Sequence, residues 1–310
     1  MAAILVYSDH EKLAPELLTA ARLLAGGKGT GIKAVAINNA ALAQDLAGRG
    51  AETCLINDAA ILAADTAAVA SALCQAAEKL DAAIVLLSSD RRGKELAGRL
   101  AQKLGAGSLA DVSGLKAEDG KVQCTRNTLG GATVAVQQIE TDKAVIALAA
   151  RSFEAAPQQA GGKVSELAVA ATAPSVRLIE TRSKASEAVD LQAAEVLVIV
   201  GQGVGKEDFP VAEKIAKILG GEIACSKPVA TDKKWLPEDR IIGLSGKKCK
   251  PQLALIFGVS GQVQFTVGIR DASTVVAVNN DENAFMLQMA DYAMVADAKE
   301  VLEELNRALG

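Results

Sequence analysis

The chain has 310 residues, half of them apolar, a formal charge of −4 and few aromatic side chains. That is enough apolar material for two cores, and the small, interspersed charge excludes a broad polyanion-binding face, so nucleic acid is not an expected partner. The apolar residues are mostly Ala, Val, Leu and Ile, which favours helices packed on a buried sheet over a β-sandwich.

From the N-terminus, short apolar runs alternate with helical patterns: AILVY, HEKLAPELLTAARLLAGG, IKAVAI, NNAALAQDLAGRG, TCLI, DTAAVASALCQAAEKL, DAAIVLLS and RRGKELAGRLAQKLGAG. This β-α alternation predicts a parallel sheet with helices on both faces. The first apolar run is too short for a signal peptide and lacks a basic flank. No later run reaches the length of about 18 residues that a membrane span requires, so a cytoplasmic location is expected. Ser8 and Asp9 are expected to cap the first helix. His10 is the single histidine, which leaves a metal site or a His-based triad unsupported. The five cysteines (Cys54, Cys74, Cys124, Cys225, Cys249) contain no CxxC pair and are expected to be reduced and mostly buried.

After Gly107 the rhythm changes. The stretch to residue 150 holds β-rich runs punctuated by EDGK and LGG, which predicts antiparallel strands extending or capping the first sheet. Residues 152–191 combine a Pro/Gln/Gly-rich loop, two expected strands and a polar tail. The domain boundary is placed there, giving domains 1–186 and 187–310. From Glu195 the βα pattern restarts with EVLVIVGQGVGKEDFPVAEKIAKILGG, where Val211, Ile215, Ile218 and Leu219 recur at helical spacing. LALIFGVSGQVQF and STVVAVNNDENA supply two further strands. AKEVLEELNRALG closes the chain as an amphipathic helix with Val301, Leu302, Leu305 and Leu309 on one face. The fold class is therefore α/β, with two domains, each a doubly wound and largely parallel sheet.

Ligands of such sheets sit at the carboxyl ends of the strands, where helix N-termini expose unpaired N–H groups. The turn Gly201-Gln202-Gly203-Val204-Gly205-Lys206 satisfies neither GxGxxG nor GxxxxGK[ST], and glycines that merely let the chain turn explain it as well. The turn Gly258 to Gln264 is more informative, because Ser260 and Gly261 offer a hydroxyl and an unshielded N–H suited to a pyrophosphate. Asn279, at a strand end, suits a ribose or adenine edge, or is a turn asparagine. Trp235, the only tryptophan, reads better as a packed anchor than as a stacking platform.

The ordered set CSKPVATDKKWLPEDRIIGLSGK, LALIFGVSGQVQFTVG and VVAVNNDENAFMLQMADYAMVAD resembles the alpha subunit of electron-transfer flavoproteins, and RRGKELAGRLAQKLGAGSLADVSGL with RNTLGGATVAV extends the likeness to the first domain. ACSKPVATDKKW is most similar to the branch linked to carnitine and acyl-CoA reduction. The resemblance implies an electron carrier, not an enzyme with its own substrate. It would hold FAD in the C-terminal domain and pair with a beta subunit carrying AMP or a second FAD, the latter in electron-bifurcating systems. An acyl-CoA dehydrogenase-type flavoprotein of fatty acid oxidation would supply electrons. A quinone reductase or ferredoxin-type acceptor would remove them, with the FAD domain swinging on residues 184–192.

By position, the resemblance implies that Ser226 and Lys227 approach the isoalloxazine and that Ile242, Gly243, Leu244 and Ser245 run along it. Ser260, Gly261, Gln262, Val263 and Gln264 would wrap the pyrophosphate, while Asn279, Asp297 and Ala298 would address the adenosine end. Three positions depart from the family. Gln202 stands where an arginine contacts FAD, Lys227 replaces an arginine and loses its planar fork, and Phe265 replaces a histidine facing the flavin C2 carbonyl, where a phenyl ring donates no hydrogen bond. Two other readings stay open: an NAD-dependent dehydrogenase using the two glycine turns, and a nucleotide-binding scaffold that has lost its flavin.

Overall fold

The computed structural model describes residues 3–26, 30–118, 121–129, 133–181 and 189–310. The chain divides into two compact units, Met1–Thr181 and Arg182–Gly310. The expected boundary between 186 and 187 lies outside the described residues, as do parts of the EDGK and LGG turns and of the 184–192 segment.

In the N-terminal unit the expected alternation forms β1 (Ala3–Tyr7), α1 (Ala14–Ala25), β2 (Ile32–Ile37), α2 (Ala40–Gly48), β3 (Glu52–Ile56), α3 (Thr66–Lys79), β4 (Ala82–Ser88) and α4 (Arg91–Leu104). The strands β5 (Gly107–Glu118), β6 (Lys121–Thr128), β7 (Thr133–Ile139), β8 (Ala144–Leu148) and β9 (Lys163–Glu166) follow. The sheet order is β7-β6-β5-β8-β4-β1-β2-β3-β9. β5, β6 and β7 pair antiparallel as expected. β8 does not, because it inserts between β4 and β5 and runs parallel to both. Helices α3 and α4 cover one face with Leu73, Ala76, Leu96 and Leu100, and α1 and α2 cover the other with Leu17, Leu18, Leu42 and Leu46. Burial of β1 on both sides explains its unbroken apolar run.

Two local expectations are corrected. Ser8 and Asp9 do not cap α1, whose N-cap position, Leu13, has no side-chain cap. Ser8 Oγ instead accepts from the His10 N–H at 3.0 Å and pairs with Ser88 Oγ at 2.8 Å, while Asp9 pairs with Arg92. Of the two strands expected in 152–191, one, β9, forms among the described residues. The chain beyond it is held along α3 by side-chain bonds from Gln75 and Lys79 that take the place of a ladder.

Asp65 anchors the same segment. It caps α3 through the Ala67 and Ala68 N–H groups, both at 3.1 Å, and accepts from Ser175 N–H at 2.6 Å and Ser175 Oγ at 2.8 Å. The Ser175 hydroxyl first, and then the Ala68, Ser175 and Val176 amides, outweigh burial and hold its pKa at about 2, below the ordinary 3.8. A lowered carboxyl pKa contributes stability that is complete above the unfolded-state value and lost as pH falls through the folded one. Asp65→Ala is expected to cost about 1–2 kcal/mol at pH 7 and to remove the part of the stability that the wild type loses between about pH 4 and 2. Urea unfolding at pH 7 and pH 3 checks this.

The C-terminal unit contains β10 (Val196–Val200), α5 (Phe209–Ile218), β11 (Glu222–Cys225), α6 (Lys227–Thr231), β12 (Leu253–Phe257), α7 (Val263–Thr266), β13 (Thr274–Asn279), α8 (Phe285–Met289), β14 (Tyr292–Val295) and α9 (Ala298–Leu309). All five strands are parallel, in the order β11-β10-β12-β13-β14. The buried face of α5 is Phe209, Ala212, Ile215 and Ala216, so the expected Ile218 falls outside it and is 42% exposed. On α9, Leu302 is fully buried, Val301 and Leu305 pack beside it, and Leu309 is exposed. These two long helices cover one face of the sheet. The opposite face is covered by Ile242, Cys249, Val259, Phe265, Met286 and Leu287, from turns and the one-turn helices α7 and α8. Short elements leave room that a long helix would fill, and this face borders the cleft.

Candidate functional site

In the C-terminal sheet β11 lies on one side of β10 and β12 on the other, so the topological switch point falls between β10 and β12. The two glycine turns meet there. Gly201 N–H donates to Phe257 O at 2.8 Å, and Gly203 N–H donates to Gly258 O at 3.0 Å. A Cβ on Gly201 would stand 2.1 Å from Gly258 O, and Gly258 has φ +63°. The backbones touch because neither carries a side chain.

A cleft of about 460 Å³ opens above this contact, within the range of about 300–1,000 Å³ typical of cofactor sites. Its lining runs from Ser226 and Lys227 after β11, past Gln202 after β10 and Ser260, Gln262 and Gln264 after β12, to Asn279 at the end of β13 and Asp281 beyond it. Three inter-strand spacings at about 4.8 Å give about 14 Å, the reach of an extended dinucleotide more than of a single ring system.

The Ser260, Gly261, Gln262, Val263 and Gln264 N–H groups meet no protein acceptor among the described residues. Ser260, Gln262 and Gln264 among them line the cleft; unpaired amides there are what a pyrophosphate needs, and no helix of useful length is required to supply them. The Ser226, Ser245 and Ser260 hydroxyls likewise make no side-chain hydrogen bond among the described residues, and all three residues line the same space. The loop carrying Ser245 is held by Ile242 N–H to Cys225 O at 2.9 Å and Leu244 N–H to Gln264 O at 2.7 Å. This donor set fits an FAD: amides for its phosphates, hydroxyls and one lysine for its polar edges, and apolar Ile242, Val259 and Phe265 for its ring.

The structure brings ten expected positions to the cleft wall: Gln202, Ser226, Lys227, Ile242, Ser245, Ser260, Gln262, Gln264, Phe265 and Asn279. Gly243, Leu244, Gly261 and Val263 lie in the same loops without lining it. Leu244 and Val263 are exposed, and Gly261 packs its backbone against Met286. Asp297 is the N-cap of α9, accepting from Lys299 N–H at 2.8 Å, and Ala298 is buried in the cluster on the other sheet face. Asn279 has structural work as well: its Nδ2 donates to Val259 O at 2.9 Å and its Oδ1 accepts from Asp281 N–H at 3.0 Å, tying the β13 end to the β12 turn. Asp281 and Ala284 line the cleft and were missed by the sequence reading; an acid two residues after a strand-end asparagine was the available signal.

Trp235 is half-buried and packs edge-on to Phe209 with ring centroids 5.5 Å apart, as an anchor does. Burial pushes the Cys225 thiol up to about 12, so it stays protonated beside the cleft. No disulfide joins the five cysteines, four of which are buried. Among the described residues no cluster of metal-ligating side chains forms, and no helix is long and apolar enough to cross a membrane.

The N-terminal unit has its own switch point, between β4 and β1, and fills it with its own side chains. Ser8, Ser88 and the Asp9–Arg92 ion pair line a space of about 20 Å³, room for about one water.

Comparisons with known proteins agree with this division. Residues 4–173 match the family described as "Electron transfer flavoprotein domain", and residues 190–270 match "Electron transfer flavoprotein FAD-binding domain". Protein FixB of Escherichia coli O1:K1 is 36% identical over 98% of this chain and 97% of its own. Protein FixB of Escherichia coli O157:H7 is likewise 36% identical, over 98% and 97%. Likeness to solved structures is slight: the spinosyn rhamnosyltransferase SpnG complexed with spinosyn aglycone covers 100% of this chain and 90% of its own at 13% identity and a TM-score of 0.29.

Proposed function

Because this chain belongs to the electron transfer flavoprotein family as an alpha subunit, we propose that it holds FAD in the cleft of its C-terminal unit and serves, with a beta subunit, as a carrier of electrons between other redox proteins. The observation that carries the reading is the continuous cleft across the carboxyl ends of β11, β10, β12 and β13, with unsatisfied amides at its middle and polar side chains at both ends. Bound FAD supplies the redox chemistry, accepting electrons from one partner and yielding them to another.

The chain's residues bind and tune. Ser260 through Gln264 would hold the pyrophosphate by backbone N–H groups, and Gly201, Gly203 and Gly258 keep the two turns in contact. Ser226, Lys227 and Ser245 face the ring end, Ser245 offering the hydroxyl that the family directs at flavin N5. Ile242 and Phe265 exclude water there. Asn279 and Asp281 stand at the adenosine end, with Asp297 and Ala298 outside the cleft as helix cap and core. Electron transfer of this kind needs no general acid, base or nucleophile, so the reading assigns the chain no substrate conversion of its own. Within it, an acyl-CoA dehydrogenase-type flavoprotein is the electron donor, and a quinone reductase or ferredoxin-type protein is the acceptor.

The test is the absorption spectrum of the chain copurified with its beta subunit, with flavin counted per heterodimer. Visible flavin bands with at least one FAD are expected. A heterodimer that stays colourless after incubation with FAD would overturn the reading.

A further inference from the structure

The loop between α6 and Trp235 carries a lysine that neither the cofactor contacts nor the core accounts for. Lys233 Nζ donates to the Gln202 carbonyl at 3.1 Å and sits 4.1 Å from the centre of the Trp235 ring. Its backbone N–H bonds to Pro228 O at 3.0 Å, and Trp235 N–H bonds to Val229 O at 3.0 Å, so the loop is fastened to α6. That short helix begins at Lys227, which lines the cleft after β11, and Gln202 lines it after the neighbouring β10.

We propose that Lys233 is a positioning residue for the cofactor cleft: bridging the α6 loop to the Gly201–Gly205 turn, it sets the spacing of these two neighbouring stretches of the lining and places a positive charge at the Gln202 backbone. The inference rests on the FAD reading above. The geometry suits the task. An ammonium has three donors; one is taken by the carbonyl, the ring face draws the charge, and a further N–H meets no acceptor among the described residues. Trp235 is itself fixed by Phe209, so the ammonium is held by a packed ring and not by a mobile one. A cation there compensates for the neutral amide of Gln202, where the resemblance places an arginine. Lys227, exposed on the neighbouring stretch of the lining, carries the second charge.

The test uses the heterodimer with its beta subunit, as wild type, Lys233→Met and Lys233→Arg. Lys233→Met keeps the alkyl stem and removes the charge. FAD affinity is expected to fall about tenfold, or about 1.4 kcal/mol, with the first reduction potential shifted downward because the positive charge that favours the reduced cofactor is gone. Lys233→Arg is expected to restore most of both. The emission difference between wild type and Lys233→Met isolates Trp235, since the beta subunit is common to both, and shows whether the ring has lost its cation.

A fall in affinity with the potential unmoved would reduce Lys233 to a loop anchor and overturn the charge role. A wild type that binds FAD alongside a Lys233→Met variant of equal affinity and potential would overturn the inference alone. A wild type that binds no FAD would overturn the underlying reading, and the inference with it.

Discussion

Replacing Phe265 by histidine is expected to raise the first reduction potential of the heterodimer's FAD by about 100 mV. Phe265 is 7% exposed, lines the cleft and packs in the same cluster as Ile242, Val259 and Ile269. The resemblance implies that position 265 faces the flavin C2 carbonyl, where a phenyl ring would exclude water but offer the reduced cofactor no hydrogen bond. A charge-assisted hydrogen bond contributes about 1.5–3 kcal/mol, and about 1.4 kcal/mol corresponds to about 59 mV for one electron. The same substitution should destabilise the FAD-free protein by about 1–3 kcal/mol, because the imidazole then lies buried without a partner. FAD should restore part of that loss. Phe265→Leu, which keeps the site apolar, should leave the potential near its starting value. Redox titration of the three proteins decides the matter: equal first potentials would show that position 265 does not face the charge.

The second large effect is expected at the crossing of the glycine turns. In Gly258→Ala the new Cβ would lie 2.8 Å from the Gly203 backbone at a φ of +63°. The clash is with backbone on a shared sheet, so relief requires the two turns to part. Overpacking of this kind costs about 1–3 kcal/mol, to which the left-handed conformation adds about 1–2 kcal/mol. FAD affinity should fall at least tenfold because the amides after Gly258 are displaced together. Gly220→Ala separates the two causes. Gly220 has φ +66° with nothing within 4 Å of the added Cβ, so it should lose stability by the conformational cost alone and bind FAD as the wild type does. Thermal unfolding with and without FAD measures both quantities. Equal FAD affinity in Gly258→Ala and wild type would detach the turns from the cofactor.

Much of this architecture was legible because strand and helix leave different periods in the sequence. The runs AILVY and VLVIV are buried on both faces and could hardly be exposed strands. β11 and β14 escaped notice for the opposite reason: they are four residues each, and every residue of β14 is exposed, so neither leaves a period to read. β8 was misplaced in direction because its apolar run looks the same parallel or antiparallel. Only its neighbours, β4 and β5, decide between them.

The cofactor site divides in the same way. Its residue types followed from local text: glycines where a turn is tight, Ser260 and Gly261 in a turn suited to a pyrophosphate, and a resemblance that pointed to Ser226, Ser245 and Asn279, which line the cleft. Sequence alone therefore determined the two-unit α/β plan and the half that holds the cofactor, since both depend on hydrophobic period and turn chemistry along short stretches. Tertiary structure decided the rest. It engaged both polar atoms of Asn279 within the protein, gave Asp297 to a helix cap, brought Asp281 to the cleft and set Lys233 against the carbonyl of Gln202. A side chain's partner is fixed by which strands lie side by side, and strand order is a property of the whole sheet.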